Sequence, residues 1–340
     1  MKPYCCPAHL GIDVHAHVIP EHFPSYIGAK MPPDWPSMAS AHDCHKNVMI
    51  AGKNYRTVSD KCWDTAKRIA DMPHMGLALQ VVSPMPELLS YWMDAKDAQQ
   101  LLRYTNDQIA AMVAESNGAL MGLGAVPLQD IDMAIRELEY VVGTLGFAGV
   151  EVGSNINGRP IGAPEFEPFF AACVRLGAAV FVHAIRPAGM DRLIGPAPLQ
   201  QVLGYPTDVG LAAASVITSN LIEKHPKLRI AFSHGGGTLA MLLPRLAQGW
   251  QTFPALQDAI TASPAAQARK LYYDTLVFDE ATLKHLVAAF GDTQLMIGTD
   301  YPFNFHDRAP AQRIRAAGFS EAVQDQLLRG NAQTFLGLKL

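Results

Sequence analysis

The sequence predicts an α/β fold, a single (β/α)8 TIM barrel with a small, hairpin-like insertion in its first βα loop. Three observations support this prediction. Eight short apolar runs recur along the 340 residues, helix-period segments lie between them, and hydrophobic residues make up 49% of the chain. A barrel of this kind takes ~250 residues, so roughly 90 residues remain for insertions.

The eight apolar runs are the candidate strands. They lie at residues 10–14, 78–83, 120–126, 149–153, 178–182, 229–233, 270–275 and 294–298. Segments 131–142, 211–222 and 239–247 repeat apolar residues every three or four positions, as helices do. Strands that alternate with helices form parallel βαβ units, and eight of them close a barrel. The rival is a doubly wound open sheet, which usually has a Gly-rich phosphate loop after its first strand. Here that strand ends in His-Ala-His instead.

The insertion lies between the first two strands, where about 60 residues exceed the length of one crossover connection. Residues 20–44 are rich in Pro, His and Ser, residues 48–58 suit a hairpin, and a helix is expected at 65–75. We therefore expect residues 1–340 to form one domain, with residues 20–62 as an insertion that covers the barrel mouth.

Composition excludes several classes of protein. The formal net charge is −4 without a basic stripe, which argues against nucleic-acid binding. No apolar run reaches the ~18–20 residues of a membrane span, and residues 1–6 lead into no signal-like segment. The odd number of cysteines, five, favours a reduced, cytoplasmic protein, and adjacent Cys5 and Cys6 lack zinc-knuckle spacing.

Polar residues at the ends of four predicted strands indicate a reactive site. His15 and His17 end the first strand, two residues apart and therefore on one face. His183 ends the fifth strand, His234 the sixth and Asp300 the eighth. In a barrel these ends converge on the face where barrel enzymes keep their active sites. Taken singly, each histidine could instead be a satisfied core residue, and the aspartate a loop cap.

Three histidines and one carboxylate, with room for water, form an open site for a metal such as Zn2+. We therefore expect His15, His17, His183 and Asp300 to bind a metal ion.

The motifs also resemble those of the amidohydrolase superfamily, and more narrowly its decarboxylase branch, typified by 2-amino-3-carboxymuconate-6-semialdehyde decarboxylase. The resemblance runs over nearly the whole chain and in order. It is carried by DVHAH at 13–17, His183, SHGGG at 233–237 and GTDYPF at 298–303, together with KNYR at 53–56, CWD at 62–64 and SYW at 90–92.

The resemblance implies one Zn2+ per chain on His15, His17, His183 and Asp300, with another divalent transition metal as the alternative. Binuclear amidohydrolases usually place a carboxylated lysine at the end of strand 4. This strand has no lysine, which supports a single metal, although Glu151 offers an alternative bridging carboxylate.

The resemblance makes His234 the catalytic acid/base, beside Asp300 as a ligand of the catalytic metal. A metal lowers the pKa of its bound water towards ~7, and a nearby imidazole can take that proton and hand it on. The alternative is a structural or additional metal-bound histidine. The three glycines that follow indicate either close approach of a ligand or a tight strand–helix turn.

Arginines are the expected ligands of a carboxylate substrate. The resemblance assigns this role to Arg56 in the insertion and to Arg245. From Gly237 a helix runs about 12 Å to Arg245, away from its own metal, so a homodimer is expected in which Arg245 reaches the neighbouring site. For both residues the alternative is a solvated arginine. Arg186 stands close after His183, where related chains have Pro-Trp-Asp, and would either bind a further anionic group or face solvent.

The leading functional prediction is a zinc-dependent, O2-independent decarboxylase of a small unsaturated or aromatic carboxylic acid. The alternative is a metal-dependent hydrolase or hydratase that acts on a lactone, amide or unsaturated diacid. A non-catalytic metal-binding barrel is disfavoured, because it would not need His234 beside four complete ligands.

Overall fold

The computed structural model of the chain describes residues 10–338, so the N-terminal segment with Cys5 and Cys6 lies outside the described residues. The strands are β1 (Gly11–Val18), β2 (Ser37–Ser40), β3 (His45–Ile50), β4 (Lys53–Ser59), β5 (Leu77–Pro84), β6 (Leu120–Gly124), β7 (Gly149–Gly153), β8 (Asn155–Ile156), β9 (Arg159–Pro160), β10 (Ala179–His183), β11 (Arg229–Phe232), β12 (Tyr272–Asp274) and β13 (Leu295–Met296). The helices are α1 (Thr65–Asp71), α2 (Ala95–Glu115), α3 (Ile131–Gly143), α4 (Glu167–Leu176), α5 (Tyr205–Thr218), α6 (Leu221–Lys224), α7 (Leu239–Thr252), α8 (Pro254–Ala259), α9 (Pro264–Ala268), α10 (Glu280–Phe290), α11 (Pro310–Ala316), α12 (Glu321–Asp325) and α13 (Asn331–Leu336).

Eight parallel strands form the barrel, in the order β1-β5-β6-β7-β10-β11-β12-β13. The eighth strand returns to the first through the parallel bridges Asp13–Ile297 and Ala16–Tyr301. The amide of His17 donates to the Tyr301 carbonyl at 2.7 Å across the same seam. The predicted TIM barrel is therefore confirmed, and each of the eight candidate strands overlaps an observed one.

Helices cover the outside of the sheet. The apolar stripe predicted at 131–142 forms α3, and its residues Ala134, Leu138 and Val141 pack into the main core. The segment predicted at 211–222 differs from expectation, because α5 ends at Thr218 and Asn220 adopts a φ of +59° before α6 begins. No helix within residues 10–338 combines the length and the apolar character that a membrane crossing requires.

The long first βα loop carries a separate antiparallel sheet of three strands, in the order β2-β3-β4. The predicted hairpin is its β3–β4 half, and β2 adds a strand that the sequence pattern did not indicate. A small apolar core joins this sheet to the segments that follow β1, β5 and β13. Its buried members are Ile19, Val48, Val58, Cys62, Met85, Leu88 and Phe303.

A buried arginine ties the first strand to its neighbours. Arg68 on α1 is fully buried, and its guanidinium donates to Gln80 Oε1 at 2.7 Å and to the carbonyls of His17 and Lys61 at 2.6 and 3.0 Å. Its guanidinium also lies 4.9 Å from the ring centre of Tyr301. Arg68 therefore fixes the backbone at His17, close to the point where the strand ends converge.

Replacement of Arg68 by methionine is expected to lower the free energy of unfolding by about 3–5 kcal/mol, because two buried acceptors and one partly buried acceptor lose their donor. The measurement is urea denaturation of the variant beside Arg136→Ala, which removes an exposed arginine and should change stability by less than about 0.5 kcal/mol. A loss below about 1 kcal/mol for Arg68→Met would contradict this role.

Candidate active site

The four residues predicted as metal ligands meet at the C-terminal mouth of the barrel. His15 and His17 lie on β1, His183 ends β10, and Asp300 follows β13. One ligand atom from each lies within 4.8 Å of the others. The two Nε2 atoms of His15 and His17 are 3.1 Å apart, and Asp300 Oδ1 lies 3.6 and 3.1 Å from them.

Acceptors on neighbouring strands orient the three imidazoles. His15 Nδ1 lies 2.7 Å from Asp274 Oδ2, and His17 Nδ1 lies 3.1 Å from the Pro84 carbonyl oxygen. His183 Nδ1 lies 2.8 Å from the carbonyl oxygen of the next residue. Each of these contacts assigns the proton to Nδ1 and leaves the Nε2 lone pair free, as metal ligation requires.

The electrostatics of this group fit a divalent cation. Burial lowers the pKa of both His15 and His17 to about 3 and that of His183 well below its ordinary value, so the rings are neutral. Two Nε2 lone pairs then face each other at 3.1 Å, and the buried His183 Nε2 has no hydrogen-bond partner within residues 10–338. A cation between these atoms removes the repulsion between the two lone pairs and gives His183 Nε2 a partner. The group is therefore a divalent-metal site.

Glu151 stands outside this ligand group, although its side chain is buried nearby on β7. Within the described residues, the metal-ligand cluster comprises the four residues above and not Glu151. Ser83 Oγ donates to Glu151 Oε2 at 2.5 Å, and that oxygen lies 3.7 Å from His17 Nδ1. Burial raises the pKa of this carboxyl well above its usual range. Glu151 therefore lies behind His17 rather than between two metals.

Asp274, at the end of β12, holds several residues of the site in position. It was not identified from the sequence. Beside its contact with His15, its carboxylate accepts the backbone amides of His234 at 3.0 Å and of Gly235 at 2.7 Å. A side chain at Gly298 would collide with it, because an added Cβ would lie 2.6 Å from Asp274 Cβ. The available signal was a carboxylate at the end of the seventh predicted strand.

His234 lies beside the metal ligands. Its ring centre is 5.3 Å from that of His15 and 5.1 Å from that of His183, and Ser233 Oγ lies 2.9 Å from its Nδ1. Burial lowers the pKa of His234 to about 3, so the ring is neutral at pH 7.

The glycines after His234 make a tight turn between β11 and α7. All three have positive φ, and a Cβ at Gly237 would lie 1.8 Å from the Pro206 carbonyl oxygen. A Cβ at Gly236 would lie 2.5 Å from the Tyr273 ring. Of the two interpretations of the triple glycine, the structure supports the tight turn, which also aims His234 at the mouth.

An inner cavity of about 30 Å³ lies against the metal ligands. It is lined by His183, Asp300, His234 and Arg56, and also by Tyr55, Met85, Pro86, Glu87, Gln201, Tyr205, Leu276, Phe278, Phe303 and Phe305. An outer vestibule of about 660 Å³ shares Arg56, Gln201, Phe303 and Phe305 with it. The guanidinium of Arg56 lies 4.2 Å from the Phe303 ring centre, at the boundary of the two spaces.

The other two predicted arginines lie elsewhere. Arg245 is exposed on α7 and lines neither cavity. Arg186 follows β10, and its guanidinium donates to Glu87 Oε1 through Nε at 3.1 Å and Nη2 at 2.7 Å. Their predicted contacts with substrate stay predictions.

Replacement of Asp274 by asparagine should weaken metal affinity about 10- to 100-fold, because the amide no longer holds the His15 ring through a charged acceptor. The measurement is competitive titration of the metal-free protein with Mn2+ or Zn2+ against a chelating dye. Asp258→Asn, on the exposed surface of α8, is the control and should bind as the parent does. Equal affinity in Asp274→Asn and the parent would contradict the positioning role.

Comparison with known proteins agrees with this site. The family model described as amidohydrolase matches residues 12–338. A 2-amino-3-carboxymuconate-6-semialdehyde decarboxylase from Dictyostelium discoideum is 35% identical over 97% of this chain and 92% of that protein. A 6-methylsalicylic acid decarboxylase from Penicillium expansum is 30% identical over 72% of this chain and 75% of that protein.

The fold is also that of a solved decarboxylase. The crystal structure of 5-carboxyvanillate decarboxylase from Novosphingobium aromaticivorans, complexed with manganese and 4-hydroxy-3-methoxy-5-nitrobenzoic acid, superposes with a TM-score of 0.72. The two chains share 23% identity, with 82% of each covered. Together with the geometry of the four ligands, these findings show that the chain belongs to the amidohydrolase family and is one of its metal-dependent decarboxylases.

Proposed function

We propose that this decarboxylase is zinc-dependent and O2-independent, and that it acts on a small unsaturated or aromatic carboxylic acid. The observation that carries the proposal is that one inner cavity is lined by two metal ligands, His183 and Asp300, by the neutral His234 and by Arg56. The curated relatives support this substrate class, because one acts on an unsaturated and the other on an aromatic acid.

His15, His17, His183 and Asp300 would hold a divalent cation, which when bound would supply Lewis-acid positive charge next to the substrate. Arg56 pairs with a substrate carboxylate at the inner end of the vestibule. His234, neutral at pH 7, accepts one proton from solvent and delivers it to the carbon that bears the departing carboxylate. The C–C bond breaks as that carbon gains the proton, and the carboxylate leaves as CO2.

We also propose a shared site in a homodimer, with Arg245 reaching the neighbouring cavity. Met241 and Leu242, which precede Arg245 on α7, are 73% and 47% exposed, as suits a face that a second copy covers. We further propose that residues 20–62 cover the barrel mouth and that the protein works in the cytoplasm. Cys44, Cys62 and Cys173 are free thiols, consistent with a reducing compartment.

A screen for CO2 release tests the proposed reaction. The zinc-loaded protein, with metal content measured in parallel, should release CO2 from a carboxymuconate-like or hydroxybenzoate-like acid. His234→Ala should keep its metal and lose about 10²- to 10⁴-fold in kcat. His285→Ala, which removes an exposed histidine on α10, serves as the control and should keep full activity. Lactone hydrolysis without CO2 release would favour the hydrolase alternative, and full activity of His234→Ala would remove its role.

Mixed dimers test the shared site. Arg245→Ala and His234→Ala chains should each be inactive alone. Dimers that contain one chain of each kind should regain about half of parent activity, because one of their two sites is intact. The measurement is CO2 release by co-purified, differently tagged chains. No recovery in dimers shown to be mixed would exclude the contribution of Arg245 across the interface.

A further inference from the structure

The wall of the inner cavity contains a carboxylate that the proposed reaction does not use. Glu87 lies in a short 3-10 turn, Pro86–Leu89, directly after the barrel strand β5. Its side chain is only 11% exposed and lines the same space as His183, His234 and Asp300. Burial and a nearby anionic substrate both oppose the charge of this carboxylate, and the ion pair with Arg186 offsets part of that cost.

One oxygen of this carboxylate is already committed. Both hydrogen bonds from Arg186 go to Glu87 Oε1, and the Arg186 guanidinium lies 3.1 Å from the ring centre of Trp92. Arg186 has a φ of +39°, an unusual conformation for a residue with a side chain. The ion pair with Glu87, the contact with the Trp92 ring and the backbone conformation together restrain Arg186. Arg186 in turn orients the Glu87 carboxylate.

The second oxygen has no partner. Glu87 Oε2 accepts no hydrogen bond from any residue in the part of the chain that the structure describes. Burial raises the pKa of Glu87, whereas the hydrogen bonds from Arg186 lower it. Glu87, with Oε2 outside its ion pair, and the guanidinium-bearing Arg56 line the same cavity from two different elements.

We propose that Glu87 is a specificity-determining residue that accepts a hydrogen bond from a hydroxyl or amino group on the substrate acid, with Arg186 as its positioning residue. This inference rests on the proposed function, since it assumes that a carboxylic acid occupies the inner cavity. A substrate with a donor gains a charge-assisted hydrogen bond, whereas a second anionic group at this wall would meet Glu87 and be repelled.

The role explains why Arg186 stands after His183. The sequence left Arg186 either to bind an anionic group of the substrate or to face solvent. Its guanidinium pairs with Glu87, while 45% of its side chain is exposed to solvent. The positive charge of Arg186 therefore pairs with a carboxylate of the same chain.

The test compares binding of matched ligands. The probes are the three hydroxybenzoates, with the hydroxyl ortho, meta or para to the carboxylate, and the three matching methoxybenzoates, which lack the donor. Isothermal titration with manganese-loaded protein gives each Kd. For at least one position the parent should prefer hydroxyl over methoxy by about 10- to 100-fold.

Glu87→Gln is the decisive variant. With its amide oxygen held by Arg186, the amide nitrogen faces the cavity and becomes a donor, so the hydroxyl preference should disappear or reverse. Arg186→Met should weaken the preference without altering the Kd of the methoxy ligand, and Arg186→Lys should restore part of it. Glu165→Gln, which removes the charge of an exposed ion pair with Arg159, is the matched control and should keep the parent preference.

The outcomes separate this inference from the proposed function. The role of Glu87 is overturned if the parent shows no preference for hydroxyl over methoxy ligands. It is also overturned if that preference persists in Glu87→Gln, because the preference then reflects the bulk of the methoxy group. A preference that Glu87→Gln abolishes supports it, even if CO2 release fails for every acid, which would overturn the proposed function alone. CO2 release with unchanged preference in Glu87→Gln overturns only the role of Glu87.

Discussion

The site depends on the fixed tautomers of three buried imidazoles. Each Nδ1 of His15, His17 and His183 lies against an oxygen acceptor, so each Nε2 is left with a lone pair at the common centre. Without a cation, that arrangement brings two lone pairs within 3.1 Å in a place that water cannot solvate well. The barrel tolerates this arrangement because strand pairing fixes the backbone of β1. Arg68 binds the His17 carbonyl, and Asp274 contacts the His15 ring.

Much of the fold and of the metal site follows from local pattern. Alternation of apolar runs with helix-period segments is a short-range signal, and it located all eight barrel strands. His15 and His17 could be placed together because the strand period of two puts them on one face. His183 and Asp300 could be added because the ends of parallel strands in a barrel converge on one face.

Pairs of side chains that are distant in sequence could not be predicted this way. Glu87 and Arg186 are 99 positions apart, and His15 and Asp274 are 259 apart, so no periodicity links them. Arg68 looked like any polar helix residue, since its burial depends on how α1 packs on the barrel. The edge strand β2 was missed for a related reason, because its alternation is weak and three of its four residues are exposed.

Metal binding and the proposed substrate recognition depend on different kinds of structure. Three of the four ligands come from barrel strands that neighbours hold on both sides, whereas Arg56, Glu87 and Arg186 lie on the insertion and on connections after strands. Changes in the connections can alter which acid is accepted while the ligand geometry stays as the barrel sets it.

The small inner cavity has an energetic consequence for catalysis. A space of about 30 Å³ is far below the volume of an aromatic acid, so the cavity would have to widen before the proposed substrate could reach the metal ligands. The free energy of that opening is subtracted from the contacts made inside. The measured affinity for the acid is therefore lower than the free energy of those contacts alone would give. A variant that loosens the cavity wall can bind more tightly and yet orient the substrate less well.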